Sequence, residues 1–245
     1  GLLSGKTVVH YTLELADTVV ATRYDSCITG IPLSSVLANK EKVFDRIQEI
    51  EGKLIVKEYP TKSANTSTLK AHLERLVRRG HDIGMVIVDY GDLLKPVSTQ
   101  REKRNELESI YEELRAIAQI YSCPVWTASQ TNRSGLNAEV ITMESISEAF
   151  NKCFVADFIF SISRTVEDKN TNSGRIFVAK NRNGPDGLVY PIFMDTSNVK
   201  IRMSATTGET IAQASSQIVK NQAQVLKDKY REFKKQEKQK VEDHP

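Results

Sequence analysis

The run Gly84-Met-Val-Ile-Val-Asp89 constrains the fold more than any other stretch of the chain. Met85 to Val88 are apolar without a break, so the pattern lacks the alternation of a strand with one wet face. Such a strand is covered on both sides, and a parallel sheet between two helical layers provides that cover. The flanking pattern agrees. Thr7 to Leu13 and Lys53 to Tyr59, the latter closed by Pro60, are rich in β-branched and aromatic residues and read as strands. Thr66 to Arg79 reads as a helix with Leu69, Leu73 and Leu76 on one face and Gly80 as its stop. A long helix follows Asp89, with Leu107, Ile110, Tyr111, Leu114, Ile117, Ala118 and Tyr121 forming one apolar face. Pro124 to Ala128 and Ala156 to Ile162 are further strands. Arg175 to Lys180 and Val189 to Met194 pair as a late hairpin across the Asn-Gly-Pro-Asp-Gly turn at 183–187. Helices alternating with strands define an α/β fold with a mostly parallel, twisted sheet and helices on both faces. No internal repeat is present.

Composition narrows the class. With 245 residues and 40% hydrophobic content, the chain has enough apolar material for a packed core. No apolar run approaches the ~20 residues that span a bilayer. The first apolar stretch is interrupted by His10 and Glu14, unlike a signal peptide. Three cysteines, Cys27, Cys123 and Cys153, form no CxxC pair, which argues against a disulfide framework or zinc site and fits a reducing cytosol. Residues 220–245 carry eight basic and five acidic side chains, whereas the preceding 219 carry 26 of each. The body is therefore no broadly basic polyanion binder; any grip on one comes from a few placed cations. Two regions are expected: a core over 1–204 and a charged, helical or disordered tail over 205–245. Ile211, Ile218, Val225, Leu226 and Phe233 could form a weak stripe on that tail.

Ser4-Gly5-Lys6-Thr7 imitates the end of a phosphate-binding loop and is rejected. The motif needs four residues between its first glycine and the Gly-Lys pair, and Gly1 stands one residue too close. A helix must also follow, so that its N-terminus faces the phosphates, and here a strand follows. The residues Leu2 to Ser4 are expected to end a helix that Gly5 caps.

Met85 to Tyr90 has the form of a Walker B strand, whose terminal Asp89 presents one carboxylate at the crevice where α/β sheets bind ligands. Such a group holds Mg²⁺ beside nucleotide phosphates. Two other apolar strands run into polar groups: Glu14, suited to polarising an attacking water, and Gln130, suited to sensing a γ-phosphate. Lys180 and Arg182 project from one face of a strand end, as cations facing a phosphoryl transition state would. Each feature alone has an ordinary structural explanation; the four together are far more specific.

Thr12-Leu-Glu-Leu15, Val86-Ile-Val-Asp-Tyr90, Ser129-Gln-Thr-Asn-Arg133 and Ala179-Lys-Asn-Arg-Asn-Gly-Pro-Asp-Gly187 occur in the order seen in DnaB-type replicative DNA helicases, which the chain resembles over about residues 5–203. Glu112-Glu-Leu-Arg-Ala-Ile-Ala118 followed by Val125-Trp-Thr-Ala-Ser-Gln130 is most like the helicases of T4-like phages. The resemblance implies a RecA-like core in a ring of six identical subunits, with ATP and Mg²⁺ between neighbours and single-stranded DNA in the channel. It makes Glu14 the water-activating base, Asp89 the Mg²⁺ ligand and Gln130 the γ-phosphate sensor. Lys180 and Arg182 become fingers acting on the neighbour's ATP. Arg23, Asn183 and Gly184 are candidate nucleotide contacts. Arg101, Lys103, Arg104 and the segment from Arg133 to Lys152 are candidate DNA contacts; Arg101 to Arg104 read equally well as a solvated first helical turn. A primase and a helicase loader are implied partners, in a bacterial or phage-infected bacterial cytoplasm.

Two departures stand out. The family's P-loop and first core strand are missing ahead of Gly1, and truncation is the expected cause, so the chain alone is expected to bind ATP poorly and not to unwind DNA. Tyr90-Gly91-Asp92 replaces the Tyr-Leu-Gln usual in bacterial relatives. A RecA/RadA-type recombinase or KaiC-like ATPase, and a non-catalytic binding subunit that lost its P-loop, remain as alternatives.

Overall fold

The computed structural model describes residues 1–132, 138, 140–145 and 151–203. The expected tail over 205–245 lies outside them. Four strands, β1 (Thr7–Thr12), β2 (Lys53–Glu58), β3 (Ile83–Asp89) and β4 (Val125–Thr127), form one sheet in the order β2-β1-β3-β4. Every pair in it is parallel. The connections carry α1 (Asp17–Thr29) and α2 (Lys40–Gln48), then α3 (Thr66–Arg78), then α4 (Lys103–Tyr121).

Side-chain alternation along β1 explains the layering. Val9, Tyr11 and Leu13 point to one face, where they join Leu69, Leu73 and Leu76 of α3 and Ile110, Leu114 and Ile117 of α4 in the main core. His10 points to the other face and meets Tyr24 of α1, its Nδ1 lying 3.0 Å from the hydroxyl. Both faces of β1 are thus covered, and all six of its residues are buried. The apolar faces read from the sequence for α3 and α4 are the faces that pack. Asn65 caps α3 by accepting from the Thr68 amide at 2.9 Å, satisfying one of the orphan donors at the helix start.

The remaining strands differ in kind. A short helix, α5 (Asn151–Val155), precedes β5 (Phe158–Ser163); α6 (Val166–Asn170) then leads to β6 (Ser173–Asn181), β7 (Val189–Asp195) and β8 (Lys200–Met203). These four strands form an antiparallel meander. The hairpin expected across 183–187 is the β6–β7 turn. The sequence reading did not anticipate β8, whose four residues are too few to show periodicity. The parallel arrangement expected for the sheet holds for β1 to β4, and the meander extends the fold with antiparallel pairs.

At the N-terminus, Leu2–Ser4 is a single 3-10 turn closed by Gly5 at φ 74°, and β1 begins two residues later. Lys6 pairs with the Asp82 carboxylate. The strand directly after Lys6 excludes a phosphate-binding loop at this position, as the motif's spacing indicated. Between β4 and β5 lies an apolar cleft of about 740 Å³. Trp126 reaches across it, its ring centred 6.4 Å from Phe158 and 5.8 Å from Phe160. Among the described residues no helix is long and apolar enough to cross a membrane.

Candidate active site

Register fixes the site. Thr12 pairs with Asp89, and Val88 with Thr127, so the carboxyl ends of β1, β3 and β4 lie side by side. Glu14 follows β1 in a turn that its neighbours hold. The Thr12 hydroxyl donates to the Leu15 carbonyl at 2.7 Å and accepts from the Leu15 amide at 3.2 Å. Leu13 donates its amide to the Asp89 carbonyl at 2.9 Å and accepts from the Thr61 hydroxyl at 2.8 Å. The backbone around Glu14 is therefore satisfied, and the side chain stands exposed. Tyr90 records the acidity of this end. Partial burial, then the carboxylates of Glu14, Asp92 and Asp89, push its hydroxyl above the usual phenol range. Of these carboxylates Asp92 is paired with Lys152, which leaves Glu14 and Asp89 as the acids of this edge.

Beneath Asp89, His10 is held neutral-leaning: burial lowers its pKa, and the Asp89 charge opposes that only partly. Its Nε2 is buried without a hydrogen-bond partner. Tyr24 is pushed up to about 12, chiefly by burial.

The β4 side is tied to β3 through Thr127. Its hydroxyl donates to the Val88 carbonyl at 2.9 Å and accepts from the Gly91 amide at 2.8 Å. A Cβ on Gly91 would stand 3.1 Å from that hydroxyl and 3.4 Å from Leu114, so only glycine sits there without displacing a neighbour. Asp92 is the hub of a buried network. It accepts from the Tyr111 hydroxyl at 2.8 Å, from the Ser129 hydroxyl at 3.2 Å and from Lys152 Nζ at 2.8 Å. Lys152 also donates to Ser129 at 2.7 Å and lies 5.6 Å from the centre of the Tyr111 ring. Its side chain is 2% exposed. Burial, then the Asp92 charge, drive the Tyr111 phenol upward. The unusual Gly91-Asp92 pair is thus accounted for by two local requirements, a close approach and a counter-ion. Gln130 follows Ser129 and is exposed.

Lys180 and Arg182 converge, but not on Glu14 or Asp89. Lys180 donates to the carbonyls of Cys153 and Phe154 at 2.8 and 3.0 Å. Arg182 donates to the Phe154 carbonyl at 2.7 Å and pairs with Asp157 at 2.9 Å. Arg115 of α4 joins them, reaching Asp157 at 2.9 Å and the Val155 carbonyl at 2.5 Å. Burial, then the Arg182 charge, lower the Lys180 pKa.

The other expected positions are dispersed. Arg23 is exposed on α1. Asn183 and Gly184 belong to the β6–β7 turn, where Asn181 accepts from the Asn183 amide at 3.2 Å and donates to the Pro185 carbonyl at 3.3 Å. A Cβ on Gly184 would come within 2.8 Å of the Asn181 amide nitrogen. Arg101 precedes α4, and Lys103 and Arg104 form its exposed first turn, with Arg104 3.5 Å from Glu102. Arg133 lies outside the described residues. The sequence reading missed Asp92 and Lys152 as a pair; sixty positions separate them, and no local pattern links them.

A parallel sheet with helices on both faces, with Glu14, Asp89 and Gln130 following or ending neighbouring strands, defines a RecA-like α/β fold. The chain belongs to the DnaB-like helicase C-terminal domain family, whose model matches residues 2–201. It is 26% identical over 230 residues to the DnaB-like replicative helicase of Enterobacteria phage T4, covering 87% of this chain and 48% of that protein. It is 30% identical over 145 residues to the replicative DNA helicase DnaB of Geobacillus stearothermophilus, covering 56% and 32%. The chain thus spans about half the length of the T4 relative and less of the bacterial one. Two solved structures share the fold at a TM-score of 0.68 and 17% identity. One is an ATPase domain, with 81% of this chain and 74% of that one aligned. The other is a DnaB-like replicative helicase studied with its primase interactions, with 81% and 50% aligned.

Proposed function

We propose that the chain is the greater part of the motor domain of an ATP-dependent replicative DNA helicase, acting as a hexameric ring on single-stranded DNA in a bacterial or phage-infected cytoplasm. The observation that carries this reading is the common edge of β1, β3 and β4, where Glu14, Asp89 and Gln130 stand at neighbouring strand ends. Glu14 is the base that activates water, and Gln130 senses the γ-phosphate. Asp89 would hold Mg²⁺, a cation that takes one or two carboxylates and shares the rest of its shell with water and phosphates. The donor chemistry fits: Asp89 ends β3 with a hard carboxylate, and no cluster of three or more ligating side chains occurs among the described residues, as for an ion that completes its shell with water and phosphates. Mg²⁺ there would neutralise charge on the phosphate oxygens. Lys180 and Arg182 supply cations to the site of the adjacent subunit. Arg23, Asn183 and Gly184 are weaker candidates for nucleotide contact, the last two because the turn already uses them. Arg101, Lys103 and Arg104 form the exposed cationic segment for DNA phosphates, bound without sequence preference. The replicative relatives and the primase studied with one structural neighbour make a primase and a loader the expected partners.

A phosphate-binding loop has a place in this reading. The cleft between β4 and β5 is apolar and bordered by two strands whose described pairing is on one side only. A further strand lying there parallel to β4 would deliver a P-loop beside Asp89 and Gln130.

The test uses the full-length protein. Glu14→Gln should bind a fluorescent ATP analogue within about threefold of wild type and lose hydrolysis by ~10²–10⁴-fold, the usual contribution of a general base. Hydrolysis within tenfold of wild type would overturn the assignment, and a full-length protein without DNA-stimulated hydrolysis would overturn the function.

A further inference from the structure

We infer that α5 is a coupling strut, with Lys152 as its positioning residue, linking a subunit's own γ-phosphate sensor to the finger pair that serves the next subunit. The inference rests on the motor reading. It starts from an anomaly: lysine is almost never fully buried unless paired, and Lys152 is 2% exposed. Its ammonium is shared between Asp92, just past β3, and the Ser129 hydroxyl, adjacent to Gln130. That is the near end of α5. At the far end, the carbonyls of Cys153, Phe154 and Val155 are among those a helix leaves without internal partners. Lys180, Arg182 and Arg115 donate to them. One five-residue helix is therefore gripped at one end by the sensor strand and at the other by both finger cations.

A helix this short has little stability of its own, so the polar grip sets its position. A shift of Ser129 with the Gln130 sensor moves Lys152. Lys152 moves the carbonyls that hold Lys180 and Arg182. A finger that engages a neighbouring phosphate must trade those carbonyls and Asp157 for it, and the exchange biases α5 in return, since coupling between sites is reciprocal. A helix that only fills space would need neither a buried cation at one end nor two finger cations at the other.

The experiment uses full-length rings. Subunits carrying Glu14→Gln are mixed in rising fraction into wild-type rings, and ATPase is plotted against the dead fraction. Coupled subunits give a curve that falls well below proportion; uncoupled ones give a straight line. Rings built on the neutral pair Asp92→Asn with Lys152→Met, which leaves no charge unpaired, should give the straight line. Lys152→Arg, which keeps the cation, should keep the wild-type curvature. Ser129→Ala, which leaves the charge pair intact, should also flatten the curve and covers the case in which the neutral pair does not fold. Undiminished curvature in Ser129→Ala, or a straight line in wild type, overturns the inference while leaving the motor assignment standing. Loss of all hydrolysis in wild-type full-length rings instead removes the motor reading.

Discussion

The parallel and antiparallel halves of the molecule solve burial differently, and they divide the chemistry between them. In the parallel half, Val9, Tyr11, Leu69, Leu73, Val86 and Val88 have no exposed surface. In the antiparallel half, Phe158, Phe193 and Ile201 are 42%, 45% and 45% exposed. The acids Glu14 and Asp89 stand on the closed half; the cations Lys180 and Arg182 stand on the open one. A buried parallel sheet holds strand ends rigidly, which suits groups that must present fixed geometry to a water and a metal. An open meander, by contrast, leaves apolar and cationic side chains partly exposed, Arg182 among them, where another surface can reach them. The division fits the proposed reading, in which a site is completed by two subunits, each giving what the other lacks.

The largest effect expected from that division lies in the cations. Arg182→Ala in the full-length protein should lose hydrolysis by ~10³-fold or more, the range for a finger acting across a subunit boundary. Mixing it with Glu14→Gln subunits should restore measurable ATPase, because some interfaces then join an intact acid edge to an intact finger. No recovery at any mixing ratio, in rings that also carry Ser129→Ala so that a dead subunit does not silence its neighbours, would place the finger within one subunit and dissolve the contrast between the halves. Packing gives the next effect. Leu73→Ala, at a fully buried position of α3, should destabilise by about 2–5 kcal/mol. Ile201→Ala, on the open meander, should cost less than about 1 kcal/mol in the same denaturant titration. An equal cost at both positions would mean that the meander's exposed face is covered in the full-length protein.

The same contrast governs what the sequence made legible. Continuous burial writes long apolar runs and clean helical faces, so β1, β3, α3 and α4 could be read directly, as could the carboxylates that end the strands. The hairpin was readable because a five-residue run of turn formers separates its strands. What stayed hidden depends on contacts between distant positions. Lys152 sits in a five-residue helix too short to show periodicity, and only the fold shows that Asp92 neutralises it. The binding of Lys180 and Arg182 by α5 carbonyls was hidden for a similar reason, since backbone acceptors leave no trace in residue identity. The interleaving of a parallel sheet with a separate meander also escaped, because short strands look alike whichever way they pair.

The contrast between the halves extends to pH. Asp168, on α6, anchors the open half: it accepts from the Thr165 amide at 2.8 Å and pairs with Arg175 of β6 at 2.7 Å. The Thr165 amide first, and then Arg175 and the nearby hydroxyls, hold its carboxyl down at about 2. A carboxyl depressed in the folded state stabilises above its unfolded value near ~3.9, and that contribution disappears as pH falls toward about 2. Asp168→Asn should therefore lower unfolding free energy by about 1–2 kcal/mol at pH 6, the size of a charged hydrogen bond, and the deficit should shrink steadily between pH 4 and 2. Amide exchange would localise it: faster exchange at pH 6 should be confined to α6 and β6, with β1 and β3 unchanged. Equal acceleration in both halves would show that they unfold as one unit, and that the open meander borrows its stability from the closed sheet.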